Sequence, residues 1–102
     1  MECTYSKSEY NDEGFFVYDW MISRLGLVGG TLLVYAVIYA FCKQYGCFSE
    51  GLGYLTQKTG NTKRGVQINL KKLEKMKLIF KSEDKNDFGK YEFYARAINF
   101  NE

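Results

Sequence analysis

Eight basic side chains fall between positions 58 and 81 of this 102-residue chain, and only Glu74 opposes them. Lysine and arginine at that density suit one chemistry above others. They neutralise phosphates and release the counterions condensed around a nucleic acid. Placed on a helical wheel at about 100° per residue, Val66, Leu70 and Leu73 share one narrow sector. Arg64, Ile68, Lys71, Lys72 and Lys75 fall on the other side, with Gln67 at its edge. One face seeks a core and the other is cationic. Arginine binds guanine bidentately and glutamine binds adenine, so Arg64 and Gln67, early in the helix, are candidate base readers. Ile68 is a candidate contact for a thymine methyl, and Lys71 and Lys75 for phosphates. The helix start, with the Thr62 hydroxyl, offers donors to a phosphate.

Other chemistries are excluded or disfavoured. The chain has no histidine, which removes Ser-His-Asp and Cys-His catalysis, histidine-ligated zinc and histidine pH switches. The three cysteines, Cys3, Cys42 and Cys47, are odd in number and form no C-x-x-C pair. They read as reduced thiols in a cytoplasmic protein, not as a disulfide scaffold or a metal site. Lys43 beside Cys42 is the one feature that would favour a thiolate. The carboxylate pairs Asp12/Glu13 and Glu83/Asp84 fall in loops or at a strand end and read as surface charge. The expectation is no enzyme, no cofactor, no metal and no small-molecule substrate.

The elements that must hold the basic helix can be read along the chain. Residues 1–14 are polar and are expected to form a flexible N-terminal arm, with a single domain over 15–102. The acidic start does not resemble a signal peptide. Phe15–Tyr18 is β-prone and is expected to add a short edge strand. Residues 19–25 predict a short helix capped by Asp19, and residues 31–44 a helix capped by Thr31 and ended by Gly46. That second helix is apolar almost all round, the pattern of a core or membrane helix. Its roughly 21 Å rise falls short of a hydrocarbon core of about 30 Å, so no membrane span is expected. A shorter helix follows at 50–59 with Ser49 as cap. Gly60-Asn61 makes a turn, and the basic helix runs over 62–77 with Thr62 or Asn61 as cap. Residues 78–83 and 90–98 predict a β-hairpin closed by the turn cluster at 85–89. Its tip carries Lys85 and Lys90, candidate contacts to neighbouring phosphates or a minor groove, diluted by Asp84 and Asp87.

Two short helices joined by a glycine turn, the second basic, match a helix-turn-helix, and the hairpin would be its wing. The stretch from Phe15 to Ile79 resembles the winged-helix domain at the start of replication initiator and replisome-organiser proteins of phages, plasmids and other mobile elements of low-GC bacteria. The resemblance rests on FFVYDWMI, the Leu-Leu-Val-Tyr-Ala-Val-Ile-Tyr helix, and Leu-x-x-Leu-x-x-x-Thr-Gly at 52–60. It continues through Thr62-Lys63-Arg64-x-Val66-Gln67 and Leu70-x-x-Leu73-Glu74-x-x-x-Leu78-Ile79. It implies DNA binding through residues 62–77, with Lys63, Arg64 and Gln67 in the matching positions. Gly65 and Ile68 depart from the pattern. Longer relatives continue into a domain that engages replication machinery, so a bare DNA-binding module is the expectation here.

The fold expected is a single α+β winged helix: a three-helix helix-turn-helix core, a C-terminal hairpin wing and a short N-terminal strand. The function expected is binding of double-stranded DNA in the cytoplasm, in replication or transcription control of a mobile element. A single module rarely binds tightly alone, so a homodimer on a symmetric site is the natural arrangement. Tyr91, Phe93, Tyr94 and Phe100 are candidate residues for a dimer surface. The alternative is a winged helix that binds proteins without DNA, which Ile68 and the aromatic hairpin would suit.

Overall fold

The structure is a computed structural model that describes residues 15–96. The expected arm at 1–14 and the last residues, including Phe100, lie outside the described residues. Four helices come first: α1 (Asp19–Ser23), α2 (Gly29–Tyr45), α3 (Leu52–Thr59) and α4 (Lys63–Lys75). Two short strands follow, β1 (Ile79–Lys81) and β2 (Phe93–Ala95). They pair antiparallel with Ile79 opposite Ala95, Phe80 opposite Tyr94 and Lys81 opposite Phe93. Among the described residues this is a small α+β domain of four helices and a two-stranded sheet.

The apolar helix α2 forms the centre. Its Val34, Tyr35, Ala36, Val37, Ile38 and Phe41 are buried, and α3, α4 and β2 pack around it. From α4 come Val66, Leu70 and Leu73, the sector that the helical wheel assigns to the core. Phe48, Leu55, Leu78, Ile79 and Phe93 complete the cluster. Rings make up two parts of this packing. Tyr18, Trp20, Tyr35 and Tyr39 meet beside α1, with Trp20 edge-on to Tyr39 at 5.1 Å between centroids. Phe41, Phe48 and Tyr54 meet near the sheet, with Phe41 edge-on to both partners. Such tilted and edge-on arrangements suit the aromatic quadrupole. No helix of the described residues is long and apolar enough to cross a membrane.

Three helix starts differ from their sequence expectations. In α1, Tyr18 takes the cap position in extended backbone, and Asp19 sits inside the first turn, where its carboxylate accepts from Ser23 Oγ at 3.3 Å. In α2, the helix begins at Gly29, so Thr31 lies within it. The Thr31 hydroxyl instead donates to Asn69 Oδ1 at 2.8 Å, tying α2 to α4. Gly30 makes that approach feasible: a Cβ there would stand 2.6 Å from Asn61 Nδ2 and 2.7 Å from Asn69 Nδ2. In α3, the cap position falls on Gly51, not Ser49. Thr62 does cap α4, its Oγ1 accepting from Gly65 N–H at 3.0 Å. That helix stops at Lys75, because Lys77 turns into the left-handed region (φ 64°) and the Leu78 N–H folds back onto Leu73 O.

The sheet also corrects one expectation. Phe15–Tyr18 forms no strand; Phe15 and Tyr18 pack against the core, with Tyr18 stacked on Trp20 at 6.0 Å and edge-on to Tyr39, while Phe16 stays exposed. The place beside β2 goes to Phe48, which exchanges both backbone hydrogen bonds with Phe93 at 2.8 Å. The strands are shorter than expected, although Ser82 N–H to Glu92 O and Arg96 N–H to Leu78 O extend the ladder at both ends.

Candidate nucleic-acid interface

Burial of the Val66–Leu70–Leu73 sector fixes the rotation of α4, and that rotation decides where its charges point. Thr62, Lys63, Arg64, Gln67, Ile68, Lys71, Lys72 and Lys75 are all exposed. They divide into two stripes. Lys63, Gln67 and Lys71, four residues apart, face a groove of about 950 Å³ between α4 and the hairpin. Arg64, Ile68 and Lys75 do not line it and lie on the open side of the helix. The Thr62 hydroxyl oxygen is engaged by its cap bond, and its hydrogen remains able to donate outward.

The hairpin forms the opposite wall. Lys85 and Lys90, expected from the sequence, both line the groove, and Lys81 joins them. Glu83, Asp84 and Asp87 do not line it. By sequence the hairpin charges cancel; in space the cations gather on the groove side. Lys81 Nζ lies 4.4 Å from the centroid of the Tyr91 ring and Lys85 Nζ 5.7 Å from it, so one ring supports two ammonium groups. Lys90 runs across Gly51, and its ammonium donates to Glu50 O at 3.3 Å, which anchors the hairpin to the start of α3. Glu50 and Glu74 are the acidic residues of the wall. Five lysines against two glutamates leave the groove strongly cationic, and its floor includes Leu70 and Phe93.

Lys81, Tyr91 and Glu50 belong to this site but are not among the DNA contacts expected from the sequence, which assigns Tyr91 to a dimer surface. Lys81 shares the strand parity of buried Ile79, so alternation assigns it inward. It sits at the strand end, opposite Phe93, where that side opens into the groove.

Cys42 and Cys47 are both held toward the thiol form. Burial pushes the Cys42 thiol above its ordinary pKa, with Cys47 adding to the effect, and this outweighs the Ala95 N–H that donates to Sγ at 3.2 Å. Cys47 is also raised, by burial and then by Glu92. The Lys43 ammonium lies over the Tyr18 ring at 5.4 Å. Among the described residues no group of three or more His, Cys, Asp or Glu could hold a metal ion.

Comparison of the chain with protein-family models, with curated proteins and with solved structures gives no match.

Proposed function

We propose that this chain is a winged-helix module that binds duplex DNA without catalysis, in the cytoplasm, in replication or transcription control of a mobile element. The observation that carries the reading is the gathering of Lys63, Gln67 and Lys71 from α4 with Lys81, Lys85 and Lys90 from the hairpin around one groove. A duplex presents one phosphate charge for roughly every 1.7 Å of axis, and two facing walls of lysine match a backbone running between them. In this reading α4 lies in the major groove, with Arg64 toward a base edge and Ile68 toward a thymine methyl from the open side, while Gln67 sits among the groove lysines. The hairpin then serves as the wing. Support for the winged-helix reading comes from element order: a central helix, two helices joined by a Gly60 turn, then a hairpin whose inner strand also pairs with Phe48.

A second reading, a protein-binding module, is favoured by exposed apolar groups. Ile68 is half exposed, and Phe80 and Tyr94 form a cross-strand pair on the open face of the sheet. Of the candidate dimer residues among the described ones, Tyr94 is exposed, Phe93 buried and Tyr91 half-buried.

The test is binding of a random-sequence duplex, followed by fluorescence anisotropy, for wild type and the triple variant Lys63→Gln, Lys71→Gln, Lys85→Gln. All three side chains are exposed, so folding is expected to survive. Each lost phosphate contact should flatten the dependence of log K on log salt by about 1. Identical curves for the two proteins would remove the groove from DNA recognition.

A further inference from the structure

Phe88, at the tip of the hairpin, is 84% exposed, more than any other large hydrophobic side chain described. It is also held in place. Asn86 Oδ1 accepts from both Phe88 N–H (2.9 Å) and Lys90 N–H (3.1 Å). The backbone closes the same turn, with Gly89 N–H donating to Asn86 O at 2.9 Å and Asn86 N–H to Lys90 O at 2.8 Å. Gly89 takes φ +77°, a conformation that favours glycine. Four hydrogen bonds thus fix a turn whose product is an aromatic ring aimed at solvent.

The surroundings say what would cover that ring. Lys85 and Lys90 flank it in sequence, and both line the cationic groove that leads to α4. Neither Phe88 nor Asp87 lines the groove, whereas Lys85, Gly89 and Lys90 around them do, so the ring stands at the edge of the lysine groove. An apolar protein surface would cover the ring but leave the flanking lysines without partners, whereas a base stack between two phosphate chains matches both the ring and its cations.

We propose that Phe88 inserts at a base step of the duplex held by α4 and the lysine groove, unstacking it, while Lys85 and Lys90 hold the phosphates on either side. The inference rests on the DNA-binding reading above. It assigns the hairpin a wedge role that lysine contacts alone would not give. Inserting side chains unwind the helix locally, so bound DNA should close with a lower linking number.

The experiment uses the full chain, relaxed plasmid and a topoisomerase, together with anisotropy on a random duplex. Phe88→Ala and Phe88→Trp are compared with wild type; the side chain is exposed, and unchanged thermal melts confirm folding of both. Wild type and Phe88→Trp should lower the linking number of the bound plasmid. Phe88→Ala should leave it unchanged and bind about tenfold more weakly, with the same salt dependence, because no charge is removed. Binding by wild type without any change in linking number overturns the wedge and leaves DNA binding intact, as does a Phe88→Ala protein that unwinds like wild type. Failure of wild type to bind duplex at low salt overturns the DNA reading itself, and the wedge with it.

Discussion

Tyr35→Phe should stabilise this protein, and by an amount that grows with pH. Tyr35 is fully buried at the middle of α2, and its hydroxyl has no hydrogen-bond partner among the described residues. A buried polar group left unpaired costs about 1–3 kcal/mol. The ring itself packs against Trp20 and Tyr39, and phenylalanine preserves those contacts. The expected gain at pH 7 is about 1 kcal/mol, or about 4–8 °C in Tm for a domain of this size. Burial, with smaller contributions from Tyr39 and Cys42, pushes the phenol from 10.0 up to about 12. The folded-state value lies above the unfolded one, so this group's contribution is complete below pH 10 and is lost as the pH rises from 10 through 12. By pH 11 the loss reaches about 1–2 kcal/mol. Tyr35→Phe lacks this titration, and its advantage should widen to about 2–3 kcal/mol. Urea denaturation followed by circular dichroism at pH 7, 9 and 11 measures both quantities. A variant that is less stable than wild type at pH 7, with an alkaline limb parallel to wild type, would show that the hydroxyl is partnered and refute the reasoning.

Further outcomes follow from the packing of α4. Leu73→Ala empties a fully buried position where α4 meets the core and should cost about 2–5 kcal/mol in urea denaturation; a loss under 1 kcal/mol would mean the helix is not docked through that face. Thr62→Ala removes the cap bond to Gly65 N–H and should cost about 1 kcal/mol, with Thr62→Ser restoring most of it. Gly30→Val should destabilise the domain by pushing aside the Asn61 and Asn69 amides, 2.6 and 2.7 Å from its Cβ, and breaking the Thr31–Asn69 bond; an unchanged melting temperature would show that the two amides swing away without cost.

Much of the frame is legible in the residues, and the exceptions have physical causes. The core sector of α4 follows from periodicity, because Val66, Leu70 and Leu73 share one face while Ile68, the fourth large apolar residue, falls on the other. Gly46 and Gly60 end their helices as the sequence implies, each adopting positive φ. Cap residues are read less well. Asp19, Thr31 and Ser49 have suitable side chains, yet the helices start where Tyr18, Val28 and Gly51 break the backbone pattern. For Thr31 the competing demand is tertiary: its hydroxyl holds Asn69 on α4. The β-propensity of Phe15–Tyr18 reflects a liking for half-buried surface, and the ring cluster at Trp20 and Tyr39 supplies such surface without a sheet. The groove is the least legible feature. Net charge along the hairpin is near neutral, and only the fold shows Lys81, Lys85 and Lys90 turning toward α4 while Glu83, Asp84 and Asp87 stay outside the groove.

The central claim is that α4 and the hairpin together hold a phosphate backbone. Its most direct test is the affinity of wild type for a random duplex from about 50 to 200 mM salt. Lys63, Arg64, Lys71 and Lys75 on the helix and Lys81, Lys85 and Lys90 on the hairpin are all exposed. Were every one of them to meet a phosphate, log K would fall with log salt at a slope of about −6. A slope between about −3 and −6 is the expected result. Absence of binding at the lowest salt, or binding that salt does not weaken, would contradict the account and leave the exposed apolar face of the sheet as the surface to pursue.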